Sequence, residues 1–283
     1  MENNKFIDEI SKCKNERTYK FNKIILKNTI NIFLILSFFI MVAGFSSYFK
    51  QEFKIPIIIS SSVMGIIIYI IFLNDIEGIM KINEKIIPIL IIILVYIIIK
   101  SPIEIVKENV NIENNLIEAI VMAIVYASYN NIILIPIIVS LSNYIKDDTM
   151  AKKIGIATMI IILVLSIGII NTMWNYPNSL KFDLPIIKIL ERDKLQQKMY
   201  AIVLVIAILT SAISAGYGFL ENIKNRRTYN KIAINLCIIG VGVSHFGFSN
   251  LVQVLYPVFG MIGIWQLVLI KIAYKKIDGG LVK

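Results

Sequence analysis

Eight stretches of roughly twenty mostly apolar residues run through the chain, each near the length that carries a helix across about 30 Å of hydrocarbon. They fall near 30–49, 55–73, 84–101, 116–142, 152–173, 198–220, 231–249 and 251–274. In hydrocarbon each backbone N–H and C=O must be satisfied within the protein, which leaves helices or closed barrels as the spanning structures. Runs of this length predict an all-α integral membrane protein with about eight transmembrane helices. Hydrophobic residues make up 57% of the 283 and charged residues 17%, too little polar surface for a soluble domain of this size.

The charges lie in short segments between the runs. Lys and Arg in the two tails and the alternate loops on their side number about 19, against about 9 on the other side. The positive-inside rule then places both ends in the cytoplasm. This predicts a basic cytoplasmic segment over 1–29, a polytopic membrane domain over 30–276 and a short cytoplasmic tail over 277–283. The first 29 residues are polar and basic, unlike a cleavable signal peptide. The longest outside segment is 174–197, where Pro185 suits the first turn of a short helix over 183–190.

The formal net charge of +10 invites a nucleic-acid reading, but its placement in membrane-flanking loops argues against one. Cys13 and Cys237 lie in a basic tail and an apolar run, so neither a disulfide nor a metal site is expected. His245 is the single histidine and cannot form a histidine metal site. There is no Ser/His/Asp set, no HExxH and no glycine-rich nucleotide loop, so neither an enzyme nor a cofactor is expected.

Polar groups inside the spans are the candidate sites. Tyr126, Ser128, Tyr129, Asn130 and Asn131 precede Pro136. Two amides and a proline in mid-span fit an interrupted helix whose freed backbone groups hold a solute or ion. They also fit a proline-kinked helix whose asparagines bond neighbouring helices. Thr210, Ser211 and Ser214 follow, with 210 and 214 on one helical face. Their hydroxyls suit a hard cation, or a small-residue packing face with back-bonded hydroxyls. In Gly240–Ser249 the glycines allow close helix approach, and His245 is a candidate proton relay. Glu118 lies at an expected interface, and Arg226-Arg227 reads as a positive-inside anchor near anionic lipid.

Several stretches in order resemble the YkvI family of bacterial membrane proteins, relatives of the amino-acid–polyamine–cation transporters with the LeuT-type fold. They are Met41-Val-Ala-Gly-Phe45 with Phe49-Lys-Gln-Glu-Phe53, Tyr126-Ala-Ser-Tyr-Asn130 with Ile135-Pro136, Leu184-Pro-Ile-Ile-Lys-Ile-Leu190, Ile208-Leu-Thr-Ser-Ala-Ile213, and Phe246-Gly-Phe-Ser249 with Leu255-Tyr-Pro-Val-Phe-Gly260-Met-Ile-Gly263. The resemblance implies a fold of about ten core helices, of which this chain would hold the third to the tenth. It implies secondary transport of a small solute coupled to H⁺ or Na⁺ in the bacterial plasma membrane. Tyr126, Tyr129, Asn130 and Asn131 would form half of a substrate site, and Thr210, Ser211 and Ser214 half of an ion site. The first two core helices have no counterpart here. A partner chain would supply them, or the protein would be a non-transporting sensor or complex subunit.

Overall fold

The computed structural model describes residues 16–73, 77–100, 116–141, 145, 147–221, 223 and 225–278. The basic segment up to residue 15, with Cys13, and residues 279–283 lie outside them. Among the described residues the long elements are eight helices: α1 Glu16–Phe53, α2 Ile57–Leu73, α3 Glu77–Lys100, α4 Leu116–Leu141, α5 Asp148–Trp174, and, after the short α6 Pro185–Ile189, α7 Lys194–Leu220, α8 Arg226–Ser244 and α9 Phe248–Asp278. No strand occurs among the described residues. Four segments are long and apolar enough to cross a membrane: Asn28–Phe53, Thr149–Trp174, Lys194–Leu220 and Phe248–Trp265. Ile57–Leu73, Pro88–Lys100 and Leu116–Asn130 are shorter apolar helices.

Helix ends follow the local chemistry. α1 continues back to Glu16 because no proline or glycine interrupts 16–43, so residues 16–29 extend the first apolar run as helix. It stops where Lys54 adopts a left-handed φ of 59° and Pro56 follows, a common helix ending. Asp147 caps α5, accepting from Thr149 Oγ1 and Met150 N at 2.6 Å each. Those two donors hold its carboxyl below the usual carboxylate range. Asp193 caps α7 through Leu195 N and Gln196 N, and Asn225 caps α8 through Arg227 N and Thr228 N. Gly247, at φ +83°, turns the chain between α8 and α9. The boundary there lies earlier than the apolar pattern suggests, because only glycine takes that backbone conformation without cost.

The chain divides into two compact units. Met1–Phe33, Ile112–Ile154 and Val252–Lys283 form one, and Leu34–Asn111 with Gly155–Leu251 the other. In the second unit α2 packs on α7 and α8, and α3 packs on α7. Its main core joins Phe38, Phe39, Val42 and Phe45 of α1, Met64, Ile68 and Phe72 of α2, Ala212, Ile213 and Leu220 of α7, and Ala233, Leu236 and Cys237 of α8. A smaller core sets Ile186, Ile187 and Leu190 of the segment around α6 against Tyr48, Ile93, Ile97, Tyr200 and Ala201. The expected short helix is thus present at 185–189, with Pro185 in its first turn.

Side-chain bonds sort the helix ends of the second unit into two sets. At one end Gln51 accepts from Leu184 N at 3.3 Å and donates to Leu184 O at 3.4 Å. There too, Gln197 Nε2 donates to Glu52 at 2.8 Å, and Ser249 donates to Asp183. At the other end Tyr229 Oη donates to the Phe72 carbonyl at 3.1 Å. The end of α1, the α6 segment, the start of α7 and the α8–α9 turn therefore share one end, while the end of α2 and the start of α8 share the other. A chain that crosses back and forth produces this alternation.

Replacing Gln51 by leucine removes both bonds to the Leu184 backbone. At about 1 kcal/mol per bond, amide exchange across 177–192 is expected to rise roughly tenfold while the helices keep their protection. Hydrogen exchange with mass spectrometry reads both quantities.

Candidate functional site

Buried hydroxyls are satisfied locally. Ser46 donates to Ala43 O, Ser61 to Ile57 O, Ser128 to Ile124 O, Thr172 to Gly168 O and Ser244 to Val241 O. Such back-bonding to the preceding turn is how a hydroxyl is accommodated in an apolar helix.

The first unit contains an aromatic cluster. Along α9, Tyr256, Phe259, Gly260 and Gly263 are spaced by three, one and three residues, which places them on one helical face. Val125, Ser128 and Tyr129 form the matching face of α4. A Cβ on Gly260 would collide with the Val125 carbonyl, and one on Gly263 with the Ser128 carbonyl, so the two backbones touch directly. Just beyond this contact Tyr129 stacks on Tyr256, with ring centroids 4.6 Å apart and planes 20° apart. The Tyr129 hydroxyl is hydrogen-bonded to that of Tyr256. Phe259 flanks Tyr129 at 6.1 Å, Phe33 of α1 packs on Phe259 at 4.7 Å, and Tyr126 lies 5.9 Å from Tyr129.

Tyr126 and Tyr129 therefore come together, joined by Tyr256, Phe259 and Phe33, which the span pattern had not singled out as site residues. Tyr256 and Phe259 sit inside the Leu255–Gly263 stretch, whose three-and-four spacing was the available signal. Asn130 is exposed and donates to the Tyr126 carbonyl at 2.8 Å. α4 is continuous from Leu116 to Leu141, so the helix is not interrupted at Asn130-Asn131. The side chain of Asn131 lies outside the described residues.

The other candidates belong to the second unit. Thr210 is buried and donates to Ala207 O at 3.1 Å, Ser211 is half-buried and Ser214 exposed. The three hydroxyls therefore stand in three different environments. His245 is exposed at the α8–α9 turn, its Nδ1 3.1 Å from Val241 O. Glu118 is exposed in the first turn of α4. Among the described residues no three His, Cys, Asp or Glu side chains gather as a metal site.

The chain is similar to the uncharacterized protein YyaD of Bacillus subtilis (strain 168). The two are 27% identical over 234 residues, covering 81% of this chain and 68% of YyaD. No protein-family model matches the chain, and no solved structure matches it.

Proposed function

We propose that the chain is a transporter-like membrane protein of the secondary type, which moves a small solute together with H⁺ or Na⁺. Eight helices cross the bacterial plasma membrane in this reading, and both ends are cytoplasmic. The observation that carries it is the Tyr129–Tyr256 stack. Two phenols from helices far apart in sequence meet within apolar helices, with Tyr126 and Asn130 one turn or less away along α4. Polar groups in such surroundings are costly and mark sites more often than packing alone. The ordered likeness to YkvI-type transporters points the same way, with the sides of the membrane set by the Lys and Arg bias.

One observation favours the second reading, a non-transporting sensor or complex subunit. α4 is unbroken, and its Asn130 amide is taken up by its own helix. Binding separates the two. The purified chain is heated with amino acids and polyamines, the solutes the likeness implies, in Na⁺ and in Na⁺-free buffer. The transporter reading predicts that a subset raises the melting temperature, and that Tyr129→Leu abolishes the shift without altering the unliganded melt by a comparable amount. A folded chain that no solute stabilises moves the second reading ahead.

A further inference from the structure

Asn235 stands at the centre of α8, nine residues from Arg226 and nine from Ser244, and its side chain is exposed. Nineteen residues of helix span about 28 Å, so in a bilayer this amide lies near the midplane. It has two donor hydrogens and a carbonyl acceptor, and it forms no hydrogen bond with the described residues. Lipid chains offer it none. Other exposed amides on the helices are differently placed. Asn130 and Asn250 donate to the carbonyls of Tyr126 and Phe246, four residues back. Asn171 and Gln253 lie within two turns of a helix end, within reach of headgroups and water.

The surroundings of Asn235 form a seam. Thr228, Lys231, Asn235, Ile238 and Gly242 are all exposed, at spacings of three, four, three and four residues. That repeat keeps one face toward a parallel partner helix. The opposite face, with Ala233, Leu236 and Cys237, is committed to the core of the second unit. A Cβ on Gly242 would meet nothing within 4 Å, so bare backbone is open one helical repeat from the amide, the feature that lets membrane helices approach closely.

We infer that this face is a homodimer interface, in which α8 packs against α8 of a second copy about a two-fold axis along the membrane normal. The inference rests on the membrane reading above. Two copies inserted the same way run parallel, and such an axis brings each seam residue to its own counterpart. An amide is its own complement, so each Asn235 donates to and accepts from its twin. Lys231 meets its counterpart one turn nearer the basic end of α8. The two helices therefore cross between Asn235 and Gly242 and splay toward Lys231, whose ammonium extends to the headgroups.

Two experiments on the full chain in membranes test this. In a Cys13→Ser, Cys237→Ala background, Ile238→Cys is oxidised with copper phenanthroline, with Ile162→Cys on α5 as an exposed control. A disulfide-linked dimer at 238 and none at 162 is the expected result. In liposomes, dimerisation followed by energy transfer between labelled copies should weaken about threefold to thirtyfold in Asn235→Leu and stay near the parent value in Asn235→Gln. A chain that stays in the membrane after alkaline carbonate yet is monomeric overturns the inference alone. So does dimerisation unaffected by Asn235→Leu, or a 238 crosslink only to a different polypeptide. A chain released by alkaline carbonate sinks the membrane reading along with it.

Discussion

Gly263→Leu is expected to break the first unit. The atom that the new Cβ would strike is the Ser128 backbone carbonyl, which cannot turn aside as a side chain would. α9 must therefore move away from α4, and with it Phe259 and the Tyr129–Tyr256 stack. Overpacking a tight contact costs about 1–3 kcal/mol and more where backbone has to shift, so the upper end applies. In detergent the melting temperature should fall by several degrees or more, and amide protection should collapse along α4 and α9 first. Gly155→Leu is the matched control, because a Cβ there meets nothing within 4 Å. If Gly263→Leu melts like the parent, the direct contact of α4 with α9 is wrong.

Phe38→Ala should be the most damaging single change in the second unit. Its ring is fully buried and meets Phe39 edge-on at 6.0 Å. It occupies space opened by two glycines, since a Cβ on Gly240 or Gly216 would press on it. Bare helix backbone on two sides cannot collapse into the gap, so the cost sits near the full range of about 3–5 kcal/mol for a buried phenylalanine. Cys237 reports on it. Its thiol is buried in the same core, and a maleimide reaches it only when that core opens. In a Cys13→Ser background, labelling of Cys237 should be slow in the parent and about a hundredfold or more faster in Phe38→Ala. Equal rates in the two would mean that the core around Phe38 is not what shields the thiol.

Much of this architecture is readable from the chain because its helices are written as uninterrupted apolar runs. The short α6 was readable as well, from Pro185 and the Ile186, Ile187 and Leu190 that it buries. Other features depend on what a single span cannot show. The α8–α9 boundary moved because the φ of Gly247, not hydropathy, ends the helix. α4 was open to an interruption at Asn130, yet a side-chain bond to Tyr126 O satisfies the amide within an intact helix. Tyr129 looked like a partner of the neighbouring asparagines, but its actual partner is Tyr256, more than a hundred residues away. Thr210 and Ser214 share a helical face by spacing alone, yet one is buried and the other exposed, because the neighbouring helices cover only part of α7.

The measurement that bears most directly on the account is ion-driven uptake by the chain alone, reconstituted in liposomes. The solutes are those that stabilise it against heating, and the drive is an imposed Na⁺ or H⁺ gradient. Uptake that requires the gradient, and is lost in Tyr129→Leu while Cys237 stays protected, is the predicted result. A folded, membrane-inserted chain that moves none of them under either gradient would contradict transport by this polypeptide.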